Sequence, residues 1–323
     1  MLPVMILCGG LSFEREVSLS SGRRACQALK GEGIDAITID TDHHLLLRLE
    51  REPPSAVINL LHGQRGEDGA MSEVLEMASV PYVGPQPHAA RLAFDKPTAK
   101  ELVRRAGLQT PNFCVLPLGT FQELGADGIT NALAAKFGLP LVVKPACGGS
   151  ALGVTIVRER RDLPAAMVQC FAYSDTALIE QYVEGTEIAI TIIEEAADII
   201  ALPVVEISYR TNRCDYEARY TAGQVDFTVP SNLPTAIQVR ATDAAIAIHQ
   251  ELRLRDLSRV DMIVDALGTP NFLEVTCCPG LTETSVVPIA IEASGRTLGG
   301  ILTKIVVRAM DRFSAPKHVL AHE

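Results

Sequence analysis

Strand-length apolar runs alternate with helical text through the first ninety residues, and this order constrains the fold more than any other feature of the chain. Val4–Leu7 is an unbroken apolar run closed by Gly9-Gly10. Ser18–Gly31 follows with helical spacing, with Ser18 or Ser20 placed to cap its start and glycine at its end. Ile34–Ile39 is a second strand and Ala56–Leu61 a third, ended by His62-Gly63, and Ala70–Ala78 is again helical. Strands joined by helices pair in parallel beneath those helices. Such sheets gather ligands at the carboxyl ends of their strands, the edge occupied here by loops 9–18 and 62–69.

The rest of the chain changes character twice. Asp95–Gly107 reads as a helix stopped near Pro111. Strands at Leu141–Lys144, Val154–Val157 and Ala177–Gln181, with a helix at Leu163–Phe171, form a small α/β unit. From Glu184 strands dominate: Glu187–Ile193, Ile199–Ile207, Arg259–Val264 and Asn271–Val275. Helices are expected at Thr235–Leu252, Glu283–Ala293 and Leu298–Met310, with fraying beyond Phe313. The polar stretch Ser208–Asn232 is long enough to be functional or mobile. A length of 323 residues accommodates two or three domains, and the shifts place them at 1–94, 95–183 and 184–323.

A net charge of −10 argues against nucleic acid, whose phosphates demand basic surface. Trp is absent and aromatics are only 5% of the residues, which argues against a nucleic-acid stacking platform as well. No apolar run approaches the ~18 residues that cross a bilayer. The start of the chain has no basic segment and reads as a buried strand, not a signal peptide. Eight cysteines without a CxxC pair, two of them adjacent at Cys277-Cys278, suit reduced thiols in the cytoplasm.

Five constellations could carry chemistry. Lys144 opens a loop containing Gly148, Gly149, Ser150 and Gly153 between two strands. Small residues let backbone N–H groups approach an anion, although this is no Walker loop, and alone it is better read as a flexible hairpin. Lys96 is a second candidate phosphate cation; alone it reads as a solvated helix-start lysine. Asp261 and Glu274 face each other if the turn centres on Leu267-Gly268. Like charges opposite on one face need a positive partner, and paired carboxylates suit Mg²⁺ held with substrate phosphates. Arg259 and Thr276 share that face, while Val260, Met262, Leu273 and Val275 mark the opposite face as core. Glu14-Arg15-Glu16 is either an acidic helix start or an ammonium site. His62 is a polar group at the sheet edge or an ordinary loop histidine, and Asp215–Tyr220 is a lid or a loop pinned by its aromatics.

In order, GGLSFEREVSLSSG, LHGQRGEDG, FDK, LVVKPACGGSALGV, LIEQYVEGTEIAITI, DYEARYTAG, RVDM and FLEVTCCPGLTETSVVP resemble the D-alanine–D-alanine ligases of the ATP-grasp superfamily, collinearly from Gly9 to about Ile291. The resemblance implies an α/β ATP-grasp fold: an N-terminal parallel-sheet domain, a small central ATP-binding domain and a C-terminal mixed-sheet domain. ATP would lie between the last two. Lys96, Lys144, Gly149, Ser150 and Arg219 would meet its phosphates. Glu180, Gln181, Tyr182, Val183 and Leu273 would meet the adenine, and Glu187 the ribose. Asp261, Glu274 and Thr276 would hold Mg²⁺ or Mn²⁺. Glu14, Ser150 and Tyr220 match a hydrogen-bonded trio near the first amino acid, with Val17 and His62 beside it. Arg259 and the Gly280 backbone match groups that stabilise a tetrahedral intermediate, and Ser285, with Val286, matches the contact to the second amino acid's carboxylate.

The implied activity is ADP-forming ligation of two D-alanines through an acylphosphate. The product would supply peptidoglycan precursors, and thus cell-wall biogenesis and cell shape, from a cytoplasmic homodimer without nucleic-acid or membrane partners. The chain departs from the family pattern around the phosphates and the metal. Glu274-Val275-Thr276 stands for Glu-x-Asn, Ala151 for a second loop serine, Arg219 for a lysine and Cys214 for an aromatic. These departures keep two alternatives open: a ligase for another amino or hydroxy acid, and a low-activity nucleotide-binding paralogue. Retention of Lys96, Lys144, Asp261, Glu274 and Arg259 speaks against the second.

Overall fold

A computed structural model describes residues 2–196, 198–209 and 225–314. The first ninety residues form β1 (Val4–Cys8), α1 (Arg15–Gly31), β2 (Ala36–Asp40), α2 (Leu45–Arg51), β3 (Ala56–Asn59), α3 (Ala70–Met77), β4 (Tyr82–Val83) and α4 (Pro87–Phe94). Their strands make a parallel sheet of order β2-β1-β3-β4. Every β1 residue is buried. Val4 and Ile6 pack with Ala25 and Leu29 of α1, whereas Met5 and Leu7 pack with Leu45, Leu49 and Leu75 on the other face. A strand covered on both faces reads as a continuous apolar run, which is why β1 was legible.

The first helix begins earlier than Ser18, with Glu14 at its N-cap. Ser18 is not a cap: its Oγ accepts from Gly9 N at 2.8 Å and donates to Leu60 O at 2.6 Å, tying two strand ends together. Strand β2 starts at Ala36 because Ile34 still belongs to the turn that ends α1, its N–H bonding Leu29 O at 3.0 Å.

The middle of the chain forms α5 (Lys96–Arg105), β5 (Phe113–Pro117), α6 (Leu118–Leu124), α7 (Ala126–Phe137), β6 (Leu141–Pro145), β7 (Thr155–Val157), α8 (Leu163–Phe171) and β8 (Thr176–Gln181). Antiparallel strands in the order β5-β8-β6-β7 pack Leu141, Val143 and Ile179 against Leu163 and Met167. Sequence patterning misses β5, α6 and α7. The first is an edge strand with no buried residue, and the two helices bury only Phe121, Thr130 and Leu133.

The remainder forms β9 (Gly185–Glu195), β10 (Asp198–Ala201), β11 (Val205–Tyr209), β12 (Val225–Thr228), α9 (Thr235–Glu251), β13 (Leu257–Asp265), β14 (Pro270–Thr276), α10 (Val286–Ala293) and α11 (Leu298–Ser314). Its sheet runs β12-β11-β9-β13-β14, with β10 also on β9. Each pairing described in it is antiparallel, so it lacks the parallel component expected of a mixed sheet among the described residues. Ile188, Ile190 and Ile192 face Ala241, Ala245 and Ile248 of α9, while Ala189 and Ile193 face α10 and α11. The last helix also packs along α1, joining the two ends of the chain.

Three expectations need correction here. The single strand at Ile199–Ile207 is two strands, β10 and β11, separated around Pro203, which has no N–H for the ladder. The stretch Ser208–Asn232 contains strand β12, paired with β11. The helix at Glu283 begins at Val286, because Thr282 N donates to Ser285 Oγ at 3.1 Å and holds the preceding turn extended at Ser285.

The register at the β13–β14 hairpin is of particular interest. Asp261 does pair with Glu274, as expected. Nearer the turn, however, Met262 faces Phe272 and Val264 faces Pro270, so the ladder slips between Asp261 and Met262. Leu273 is the extra residue of this bulge. Phe272 takes the core place read for Leu273, and Leu273 turns to a cavity instead.

Candidate active site

The glycine loop after β6 faces the C-terminal sheet across a cavity of about 580 Å³. Volumes of this size hold cofactors and drug-sized ligands. Lys96, Lys144, Gly149, Glu180, Gln181, Tyr182, Val183, Glu187, Asp261, Leu273 and Glu274 all line it, so the expected nucleotide and metal residues converge from five segments of chain. Within the loop Ser150 and Ala151 have φ of 55° and 57°, a left-handed conformation that side chains rarely adopt. Strain of this kind collects at ligand clamps, and such turns open backbone N–H groups toward anions. Ser150 itself faces away from this cavity and lines a neighbouring pocket.

The lysines are placed by secondary structure. Asp95 caps α5 by accepting from Thr98 N at 2.8 Å. Lys96 N bonds Ala146 O at 3.0 Å, which sets the helix start against the loop. Its ammonium donates to Gly148 O and lies 3.3 Å from Glu274 Oε2. Lys144, at the end of β6, lies 2.6 Å from Glu180 Oε1. Burial opposes the Glu180 charge, but Lys100 and Lys144 outweigh it and hold the carboxyl below its ordinary range. Sequence reading missed Lys100. Its position one turn after Lys96, on the same helix face, was the available signal.

Asp261 is held side-on by Arg259, with Nε–Oδ1 and Nη2–Oδ2 both at 2.7 Å. The compensation expected for two facing carboxylates therefore comes from Arg259 on one and Lys96 on the other. Two hard carboxylates at the edge of a nucleotide-sized cavity fit Mg²⁺ or Mn²⁺. Among the described residues no group of three or more His, Cys, Asp or Glu could hold a metal, so substrate oxygens and water would complete the shell. Thr276 is committed elsewhere: its hydroxyl donates to Glu67 Oε2 at 2.6 Å and accepts from Cys278 N at 3.2 Å.

A pocket of about 60 Å³ adjoins the cavity and shares Lys96, Gly149 and Glu274 with it. Glu14, Val17, His62, Ser150, Arg259, Thr276 and Gly280 line it, together with Glu67. Ser150 donates to Glu14 Oε1. Two glycines admit this carboxylate: a Cβ on Gly63 would sit 2.6 Å from Glu14 Oε2, and one on Gly149 would sit 3.1 Å from Oε1. Glu67 accepts from Gly63 N at 2.9 Å and was missed because nothing local separates it from a solvated loop acid. Burial raises the Glu14 carboxyl above its ordinary range, with the Glu67 charge adding to it and Ser150 opposing. Burial raises Glu67 likewise. Two desolvated carboxylates in so small a space favour a cation as occupant. His62 Nε2 meets Ser21 Oγ at 3.2 Å, and burial depresses its pKa toward the neutral ring.

A third pocket of about 40 Å³ is lined by Ile207, Tyr209, Val225, Phe227, Thr284 and Val286, with Arg259, Gly280 and Ser285. Arg259 and Gly280 thus border both small pockets. Tyr209 OH donates to Glu187 Oε1 at 3.1 Å and fixes the carboxylate expected at a ribose. Arg219, Tyr220 and Cys214 lie outside the described residues. The seven described cysteines are free thiols.

Comparison with known proteins identifies the family. A family model described as "D-ala D-ala ligase C-terminus" matches residues 102–307. A D-alanine–D-alanine ligase of Pelotomaculum thermopropionicum is 36% identical over 310 residues, covering 96% of this chain and 97% of the relative. The D-alanine–D-alanine ligase of Bacillus anthracis complexed with ATP superposes with a TM-score of 0.78 at 27% identity, covering 97% of this chain and 98% of that one. The VanG D-Ala:D-Ser ligase of Enterococcus faecalis superposes with a TM-score of 0.79 at 25% identity, covering 95% and 99%. The collinear motifs, the ATP-grasp architecture and these matches make the chain a member of the D-alanine–D-alanine ligase family.

Proposed function

We propose that the protein is an ADP-forming ligase that joins two D-alanines into D-alanyl-D-alanine for peptidoglycan precursors. The adjacency of the nucleotide-sized cavity to a pocket with two buried carboxylates, with Lys96 and Glu274 on their common border, is the observation that carries this reading. Glu14, oriented by Ser150, holds the ammonium of the first D-alanine, with Val17 and His62 around it. The substrate carboxylate then points to the border, where Lys96, Lys144 and the glycine loop hold the terminal phosphate. Its oxygen attacks the γ-phosphorus, ADP departs, and an acylphosphate forms.

The second D-alanine, its carboxylate at Ser285 beside Val286, attacks the acyl carbon with its amine. Arg259 and the Gly280 N–H face the oxyanion that develops, and its collapse expels phosphate. Mg²⁺ or Mn²⁺ at Asp261 and Glu274 would supply charge neutralisation to the phosphates. Glu180, Gln181, Tyr182, Val183, Leu273 and Glu187 are assigned to the nucleoside, and Arg219 and Tyr220 to the phosphates and the first amino acid. We assign the three domains to 1–94, 95–183 and 184–323 and place the enzyme in the cytoplasm as a homodimer. No described helix is long and apolar enough to cross a membrane.

Incubation with ATP, Mg²⁺ and D-alanine, followed by phosphate and dipeptide assays, tests the proposal. Failure to form ADP with any D-amino acid would sink it. A panel that includes D-serine and D-lactate separates D-alanine from another acceptor, the second reading that the likeness to a D-Ala:D-Ser ligase supports.

A further inference from the structure

A fully buried lysine stands behind the phosphate-facing lysine, and both meet one carboxylate from opposite sides. Lys144 Nζ lies 2.6 Å from Glu180 Oε1 and Lys100 Nζ lies 3.0 Å from Glu180 Oε2. The side chains are 8%, 3% and 0% exposed for Lys144, Glu180 and Lys100, so the trio carries a net positive charge away from water.

The two ammonium groups are held differently. Lys100 Nζ donates to Thr110 Oγ1 at 2.7 Å and to Phe272 O at 3.1 Å, and Thr110 donates to the same carbonyl at 2.8 Å. These bonds lock it between α5, the strand entry at Thr110 and the bulge of β14. Glu180 Oε2 accepts no aligned hydrogen bond, so Lys100 meets it as a counter-charge. Lys144 instead borders the cavity.

A nucleotide phosphate reaching Lys144 competes with Glu180 for its ammonium. A buried carboxylate stripped of its counter-ion is costly, and it would retain Lys144 against the incoming anion. We propose that Lys100 is a positioning residue that keeps Glu180 compensated in both states and so releases Lys144 to the phosphates of ATP. Burial pushes the Lys100 ammonium down to about 8, with the Glu180 charge acting against this, so it keeps its proton at neutral pH. The proposal rests on the reading of the cavity as an ATP site.

The readout is the ratio of affinities for a non-hydrolysable ATP analogue and for adenosine, measured by calorimetry on the full chain. Only the first ligand needs Lys144. In Lys100→Met the ratio should fall about tenfold, the size of one charge-assisted hydrogen bond. It should hold in Lys100→Arg and return in Lys100→Met/Glu180→Gln, where there is no carboxylate to balance. An unchanged ratio in Lys100→Met, or equal losses for both ligands, overturns the proposal, because a merely structural lysine would disturb the two together. If Lys100→Met does not fold, Glu180→Gln is compared with the double variant. Equal ratios support the proposal, and a lower ratio in the double variant overturns it. Wild-type protein that binds neither ligand overturns the ATP-site reading and this proposal with it, a result distinct from a failure at Lys100 alone.

Discussion

The Thr276 hydroxyl donates to Glu67 Oε2 at 2.6 Å, joining the last residue of β14 to the loop that follows β3. This bond gives the threonine a place that differs from the one its strand position implies. It lies in the pocket proposed for the first substrate, while Asp261 and Glu274 keep the place proposed for the metal. Thr276→Asn would put an amide carbonyl back beside Glu274, and the Mg²⁺ concentration for half-maximal ADP formation should fall severalfold. Thr276→Val removes the donor to Glu67, a bond to a charged group worth roughly 1.5–3 kcal/mol, and should raise the KM for the first D-alanine with little effect on that for ATP. Matching Mg²⁺ curves for wild type and Thr276→Asn would show that the metal needs no protein ligand at this position.

Glu14 and Ser150 come from different segments, 136 residues apart, and meet only when the glycine loop lies against the start of α1. Ser150→Ala should weaken the first D-alanine about tenfold, since it removes one charge-assisted bond from the carboxylate proposed to bind the ammonium. Steady-state kinetics at saturating ATP check this. A change confined to the KM for ATP would return Ser150 to the phosphates, the other role its loop suggests.

What sequence reveals here is set by how local the cause is. Strand β1 is a buried apolar run, and the facing of Asp261 with Glu274 follows from a tight turn nearby. That facing survives only because the bulge at Leu273 offsets a turn centred on Leu267 and not between Leu267 and Gly268, and no local pattern announces the bulge. Glu67 and Lys100 gain their roles from partners 209 and 172 residues distant, Thr276 and Phe272, which periodicity cannot see. Edge strand β5 and the thinly buried helices α6 and α7 leave too weak an apolar pattern to read.

Gly63 tests the packing around Glu14. Its φ is 74° and a Cβ there would lie 2.6 Å from Glu14 Oε2. Gly63→Ala should therefore displace the carboxylate and reduce kcat/KM for D-alanine by about a hundredfold, the scale that a 1 Å misplacement produces. Gly119, by contrast, lies in α6 with open space around its Cβ position. Gly119→Ala should leave activity intact and raise stability by up to about 1 kcal/mol. Equal activities for the two variants would remove Glu14 from the site.

Acid should weaken the fold through Glu194, far from the site. Burial pushes this carboxyl up, but the His249 ring, the Asp256 N–H and Arg308 outweigh it and hold it at about 2, against an ordinary value of 4.5. The native state thus binds its proton less readily than the unfolded chain. The stabilisation it brings is complete above about pH 4.5 and disappears as pH falls toward about 2. Glu194→Gln should unfold at lower denaturant than wild type at pH 7, and the gap between their midpoints should close as the pH approaches 2. A gap that stays constant across this range would mean that the side chain matters by its packing and not by its charge.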